Sequence, residues 1–273
     1  MARNDLIAGL DIGTTKICCV VAEMAEPGGL LVSGVGVSPS TGLKRGIVVD
    51  LDSTVHAIED AVLRAARQSG REITSAFVGV TGEHIASLNA RGVIAITHAD
   101  REINEDDLER VLEASRVIVI PPDRIILHAI PRAYSIDGQN GIKHPIGMSG
   151  TRLEVETHIV TGGHTFLQNV EKCVTRAGLA VDDMVLEPLA TAEAVLMPAE
   201  RELGVCMADI GGGTTDVAVY QNGEIFYSAV IPVGGSHVTS DLAQLLRISP
   251  DEAEKLKVAH GSACVSGVAE EER

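Results

Sequence analysis

Tryptophan is absent from this chain, and only three tyrosines and three phenylalanines stand among its 273 residues. A binding site walled by aromatic rings is therefore excluded. The core must be assembled from Val, Ile, Leu and Ala, the residues of buried strands and packed helices. Basic residues are scarce too: 22 Lys and Arg stand against 38 Asp and Glu, for a net charge of −16. That balance argues against a nucleic-acid partner and against broad adsorption to anionic lipid, since both reward clustered cations. The five cysteines, at 18, 19, 173, 206 and 264, contain no Cys-x-x-Cys pair. Cys18 and Cys19 adjoin in a strand and point to opposite faces, which makes them poor joint metal ligands. All five read as small buried residues of a reducing cytosol. Nowhere do roughly 18 apolar residues run together, and Met1 to Asp5 has no signal-peptide layout, so the expectation is a soluble, cytosolic chain.

What the chain does have is a glycine-rich turn with unusual company. Ala208-Asp209-Ile210-Gly211-Gly212-Gly213-Thr214-Thr215-Asp216 lies between two β-prone runs, Leu203 to Met207 and Val217 to Tyr220. Glycines let backbone N–H groups converge on an anion, and such donors do not register in net charge. The hydroxyls of Thr214 and Thr215 add donors for phosphate oxygens. Asp209 suits a hydrated Mg²⁺, which usually reaches protein through one or two carboxylates plus phosphate. Three glycines alone would mean no more than a hairpin, but the motif has an echo. Leu10-Asp11-Ile12-Gly13-Thr14-Thr15-Lys16 also sits between apolar runs, about 200 residues earlier. That separation is too long for a solenoid repeat and right for two similar domains whose hairpins clamp one polyphosphate.

The remaining pattern predicts a mixed α/β chain. A turn at Glu26-Pro27-Gly28-Gly29 leads into strand Leu30 to Val37, whose glycines allow close backbone approach. Gly42-Leu43-Lys44-Arg45-Gly46 reads as a solvated basic turn. A helix capped by Asp52 or Ser53, with Val55, Ile58 and Val62 inward, ends at Gly70, and strand Ala76 to Val80 follows. From about Glu83 to Gly163 the texture changes to an α+β insert. It has short strands Ile85 to Asn89 and Val93 to Thr97, an acidic helix capped by Asn104, and long strands Ile125 to Ile136 and Arg152 to Thr161. Asp137 to Gly141 reads as turn chemistry. His128, His144 and His158 have no ligand spacing. After the insert, Thr165 and Gln168 suggest a capping box. Glu187-Pro188 opens another helix with proline first. Glu187 would face a cleft between the domains, although an acid placed to suit the helix dipole explains it equally well. Gly234-Gly235 begins a helix whose N-terminus reads as a ready anion or hydroxyl site. In the helix from Pro250, Glu254 and Lys257 share a face, as a simple ion pair also would. The tail Glu270 to Arg273 reads as frayed.

These motifs together resemble the actin-like ATPase superfamily, and within it the FtsA family of bacterial cell-division proteins. Supporting stretches are Gly42 to Asp50, His128 to Tyr134 and Gly141 to Gly150. The resemblance implies an actin-like (ribonuclease H-like) α/β fold of two related domains, the second incomplete. It places the first domain at residues 1–82 plus 164–198, the self-association and partner insert at 83–163, and the partial second domain at 199–273. It further implies ATP and Mg as cofactors, held at Gly13, Thr14, Thr15, Lys16, Gly211, Gly212, Gly213, Thr214, Thr215, Gly235, Glu254 and Lys257. Asp11 and Asp209 would serve Mg through water, and Glu187 would be the catalytic candidate of an at most weak ATPase.

The family polymerises, anchors the tubulin-like FtsZ ring to the cytoplasmic membrane face and recruits later division proteins. The pattern would continue past Arg273 into an adenosine Gly-Gly motif, an FtsZ-binding subdomain and an amphipathic membrane helix. The helices after Gly235 are accordingly expected to expose apolar surface. A sugar-kinase-type phosphotransferase on the same fold is the alternative, with Asp216 or Asp241 as its base.

Overall fold

The structure is a computed structural model and describes residues 6–25 and 28–264. The expectations for Met1 to Asp5, for Glu26-Pro27 and for the tail Glu270 to Arg273 lie outside the described residues.

Alternating burial builds the first sheet. In β1 (Leu6–Ile12) the residues Ala8, Leu10 and Ile12 face inward, and in β2 (Lys16–Met24) so do Ile17, Cys19 and Val21. β3 (Leu30–Pro39) completes an antiparallel meander. A small hairpin, β4 (Leu43–Lys44) and β5 (Ile47–Val48), then precedes α1 (Leu51–Ser69). Asp50, rather than Asp52 or Ser53, caps this helix, because Leu51 is already helical and the Asp50 carboxylate reaches Ser53 N at 3.2 Å. Gly70 ends it in the left-handed region, at φ 69°. Gly36 has the expected role: a Cβ there would overlap the Ala61 carbonyl oxygen, so glycine lets α1 lie on the sheet. β6 (Ser75–Val80) joins parallel to β1.

The insert is a second sheet with one helix across it. β7 (Ala86–Ala95) is one strand where two short ones were expected. Ala90, Arg91 and Gly92 have little intrinsic strand preference but are held in register on a long partner, opposite Thr157, Glu156 and Val155. Gly92 is needed there because α2 (Glu105–Arg116) crosses it, placing the Val111 carbonyl oxygen where a Cβ would stand. Asn104 caps α2 with a full capping box through Asp107. β8 (Arg124–Ile136), β9 (Gln139–Ile142) and β10 (Arg152–Gly163) give the order β7-β10-β8-β9. Only Asp137 and Gly138 form the turn, and Gln139 to Gly141, expected as turn, pair back as part of β9.

The chain returns through α3 (His164–Arg176) and β11 (Ala180–Leu186), which completes the order β11-β6-β1-β2-β3. The expected Thr165–Gln168 capping box does not form. β10 runs on to Gly163, the helix begins at His164, and the His164 amide donates to the Asp123 carbonyl at 2.8 Å instead. α4 (Glu187–Val195) has Glu187 first and Pro188 second, and α5 (Pro198–Leu203) is a short helix that the sequence pattern did not reveal. β12 (Val205–Ile210), β13 (Thr215–Gln221) and β14 (Glu224–Ile231) form an antiparallel sheet, followed by α6 (Gly235–Leu246) and α7 (Pro250–His260). Val238, Leu245 and Leu246 of α6 are exposed, as anticipated. Cys19 and Cys173 are buried and Cys18 half-buried, but Cys206 and Cys264 are exposed, so burial does not extend to all five cysteines. Among the described residues no helix is long and apolar enough to cross a membrane.

Candidate functional site at the facing hairpin turns

Both glycine turns are built alike. Each is a four-residue connection, closing between Ile12 and Ile17 in one and between Ile210 and Thr215 in the other. In the first, Gly13 N donates to Lys16 O at 3.0 Å; in the second, Gly211 N donates to Thr214 O at 2.9 Å. These closures consume one amide per turn. Among the described residues, the amides of Thr14, Thr15, Gly212 and Gly213 have no protein acceptor. Those four N–H groups, two from each hairpin, are available to an anion.

The turns also meet. A Cβ on Gly212 would overlap the Thr15 methyl, and one on Gly213 would stand 2.6 Å from Thr14 Oγ1. Together they line a cavity of about 370 Å³ that also takes in Lys16, Thr81, Asp11, Asp209, Glu187 and Asp216. Thr14 Oγ1 accepts from Gly46 N at 3.1 Å, which leaves its own proton for a ligand. The Gly42 to Gly46 loop is therefore not a solvated turn. Arg45 (φ 51°) and Gly46 (φ 74°) bend it onto the site, and Gly46 packs on Gly82, whose Cα would lie 2.8 Å from a Cβ at 46.

The acids crowd one another. Burial raises the Asp11 carboxyl above its ordinary range; Lys16 works against that rise and Asp209 adds to it. Glu187 is partly exposed as a residue, yet its Oε1 is shut off from water and has no hydrogen-bond partner. Burial first, then the charges of Asp11, Asp216 and Asp209, holds its carboxyl well above the ordinary value. Asp216 is buried, accepts from Thr81 Oγ1, and accepts from Thr214 Oγ1 at 3.3 Å. Burial lifts it to about 6 in spite of those two hydrogen bonds, with Asp209 and Asp11 adding to the rise. Thr191 Oγ1 on α4 donates to Asp209 Oδ2 at 2.9 Å and fixes that carboxylate. Among the described residues no three His, Cys, Asp or Glu side chains gather as direct metal ligands. These carboxylates suit a cation that keeps its waters.

A second hollow of about 700 Å³ begins where the first ends, at Thr15, and is lined by Ser236, Thr239, Ser240 and Glu254. Lys257 Nζ donates to Gly235 O at 3.1 Å and to Thr239 Oγ1 at 2.9 Å, and pairs with Glu254 at 2.7 Å. The hydrogen bond from Lys257, then that from Thr239, lowers the Glu254 carboxyl. The α6 N-terminus is not the ready anion site that its glycines suggested. Gly235 N and Ser236 N are spent on the Gly211 and Gly212 carbonyls, at 2.9 and 2.8 Å. The two hollows bring the predicted set together except for Gly235 and Lys257, which line neither, and Thr215. Its residue lies outside the cavity lining and its hydroxyl donates to Val233 O at 2.7 Å. Sequence reasoning missed Thr81, Thr191 and Gly46 as site residues. Gly46 and Thr191 stood in stretches already singled out, the latter on the helix that Glu187-Pro188 opens, while Thr81 reaches the site from outside any such stretch.

Comparison with known proteins bears on the family and the fold. The family model for the SHS2 domain inserted in FtsA matches residues 82–161, and the model for cell division protein FtsA matches residues 206–273. Cell division protein FtsA of Pseudomonas aeruginosa is 49% identical over 258 residues, covering 94% of this chain and 61% of the relative. That of Bacillus subtilis is 42% identical over 272 residues, with 100% and 62% covered. That of Escherichia coli K12 is 39% identical over 267 residues, with 98% and 63% covered. The chain therefore spans a little under two thirds of the length of these relatives. Among solved structures, a chain of the PilM-PilN type IV pilus biogenesis complex superposes with a TM-score of 0.71 at 16% identity, covering 93% of this chain and 70% of that one. The ethanolamine utilization protein EutJ of Carboxydothermus hydrogenoformans gives 0.53 at 21% identity, with 94% and 62% covered. With two FtsA models matched and close identity along nearly its whole length, the chain belongs to the FtsA family of cell-division proteins, on the actin-like ATPase fold.

Proposed function

We propose that this chain carries the phosphate-gripping part of an ATP-binding cell-division protein, with the triphosphate held between the two hairpin turns. The observation that carries the reading is the set of four acceptor-free amides, two on each turn, around one cavity. Lys16 and the Thr14 hydroxyl would add contacts to phosphate oxygens. The second hollow, with Glu254 and Lys257 at its side, would take the nucleoside. A hydrated Mg²⁺ fits the residues present: an orphaned buried Glu187 oxygen and several crowded acids call for a cation. Asp11 and Asp209 would hold it through its waters, and when bound it would offset their mutual repulsion and that of the phosphates. Glu187 would orient a water toward the terminal phosphate, which makes the chain at most a weak ATPase. ATP would favour a closed arrangement of the domains only through its higher affinity for that state.

The cell-level role we propose follows the family: assembly with FtsZ, self-association, recruitment of later division proteins through residues 83–163, and work at the cytoplasmic face of the membrane. The relatives, all named for cell division, support this over a sugar kinase. Titration calorimetry tests the site. Asp209→Ala should weaken Mg-ATP at least about tenfold with an unchanged circular dichroism spectrum, a loss on the order of 1.4 kcal/mol. Unaltered affinity would refute the assignment. Turnover by Glu187→Gln equal to wild type would remove the water-orienting role.

A further inference from the structure

The insert is tied to the rest of the chain at more places than its two covalent connections require. Its first connection leaves β6 through Thr81, whose hydroxyl donates to Asp216 on β13. Its sheet then grips the next strand, β14. His158, only 1% exposed, bridges Asn89 Oδ1 at 2.8 Å and Ser228 Oγ at 2.9 Å. Ser87 Oγ donates to the Ser228 carbonyl at 2.6 Å, and the Arg132 guanidinium lies 4.9 Å from the centre of the Phe226 ring. Strand register closes the circuit: Ser228 pairs with Ala218, and Val230 with Asp216. The segment that the insert grips is therefore the ladder neighbour of the segment that carries Asp216 into the cleft. Ile85 and Val160 of the insert also share a core with Leu186, Leu189 and Val230, so apolar packing backs the polar grip.

We propose that the insert is a positioning arm of the cleft: it sets the second-domain wall by holding β14 through His158 and Ser228, while Thr81, on the connection just ahead of it, holds Asp216. Occupancy of the cleft and opening of the insert are then coupled, and the coupling runs both ways. Neither His158 nor Ser228 lines the cavity, so both act through the β13–β14 hairpin and are positioning residues. The inference rests on the nucleotide reading only for the identity of the ligand.

Amide hydrogen exchange on the whole chain, with and without Mg-ATP, tests it. Ser228→Ala should speed exchange about fivefold or more across residues 211–221 and leave α1 and β1 unchanged. Thr81→Val should do the same, and Thr81→Ser should restore the wild-type pattern. Mg-ATP should slow exchange in β7 and β10 of the wild type and lose that effect in Ser228→Ala. If Ser228→Ala fails to fold, Asn89→Ala, at an exposed residue, is expected to give the same pattern. Faster exchange confined to β7 and β14 would overturn the proposal and leave a merely structural contact. Should the wild type bind no Mg-ATP while residues 211–221 still respond to the substitutions, the nucleotide reading fails and the arm stands. Should it bind while those residues and the insert stay indifferent to each other, the arm alone fails.

Discussion

Gly234 and Gly235 stand side by side and answer to different constraints. A Cβ on Gly234 would overlap the Gly211 carbonyl oxygen and stand 2.7 Å from that of Gly212, backbone atoms that cannot swing aside. On Gly235 it would stand 3.6 Å from the Lys257 Nζ and 3.8 Å from the Gly211 carbonyl oxygen, both ordinary contacts. Gly234→Ala is therefore expected to destabilise the chain by about 1–3 kcal/mol in urea unfolding, and Gly235→Ala by much less. His84 and His158 make a second prediction at this scale. Burial pushes both imidazoles down to about 4; Arg124 adds to the effect at His84, and Arg132 at His158. Their folded values lie below the unfolded one, so their contribution is complete above about pH 6.5 and is lost as pH falls toward 4. Their replacement by glutamine should flatten the acid limb of the stability profile, which in the wild type loses up to about 3 kcal/mol per histidine.

At the scale of elements, the insert helix α2 carries a switch of the opposite sign. His98 donates toward Asp107 at 2.8 Å and Asp100 at 3.1 Å, and these hydrogen bonds raise its pKa. Asp107 is buried and completes the capping box at the helix start. A raised histidine value means stability present below about pH 6.5 and lost as pH climbs through the folded value. Histidine side-chain NMR should show His98 titrating above 6.5. His98→Gln should remove the alkaline loss of protection at the first turn of α2 while leaving α1 untouched. The two hairpins show the same dependence of an element on its setting. Their turns close by one rule, yet the Thr14 hydroxyl keeps its proton for a ligand while that of Thr214 is spent on Asp216.

Taken whole, the molecule leaves large apolar side chains of its last elements open to solvent. Leu245 is 81% exposed, Ile210 71% and Val258 74%, on α6, β12 and α7. Apolar surface spread over three neighbouring elements favours association. Sedimentation velocity should show mass rising with concentration, and Leu245→Glu should reduce it. The net charge of −16 opposes this association, so added salt should strengthen it by screening.

Local chemistry made much of this legible from residues alone. Asp-Ile-Gly followed by threonine writes a hairpin turn with spare amides wherever it falls, and Asn104 before Glu105-Asp106-Asp107 writes a helix start. Those signals depend on neighbours within a few residues, and both appear in the structure. Thr81 against Asp216, Thr191 against Asp209 and Gly46 against Thr14 could not be read that way. Each joins separate elements, and a hydroxyl or an amide has no sequence mark that tells which distant acceptor or donor it will meet. The same limit misplaced the cap of α3 and split β7, where a ladder on β10 and the crossing of α2 overrode weak strand preference. Sequence by itself settled which turns carry spare amides. Only tertiary packing decided that they face each other, which of their donors stay free, and that the insert rests on the strand beside Asp216, because those facts belong to contacts between parts of the chain far apart in order.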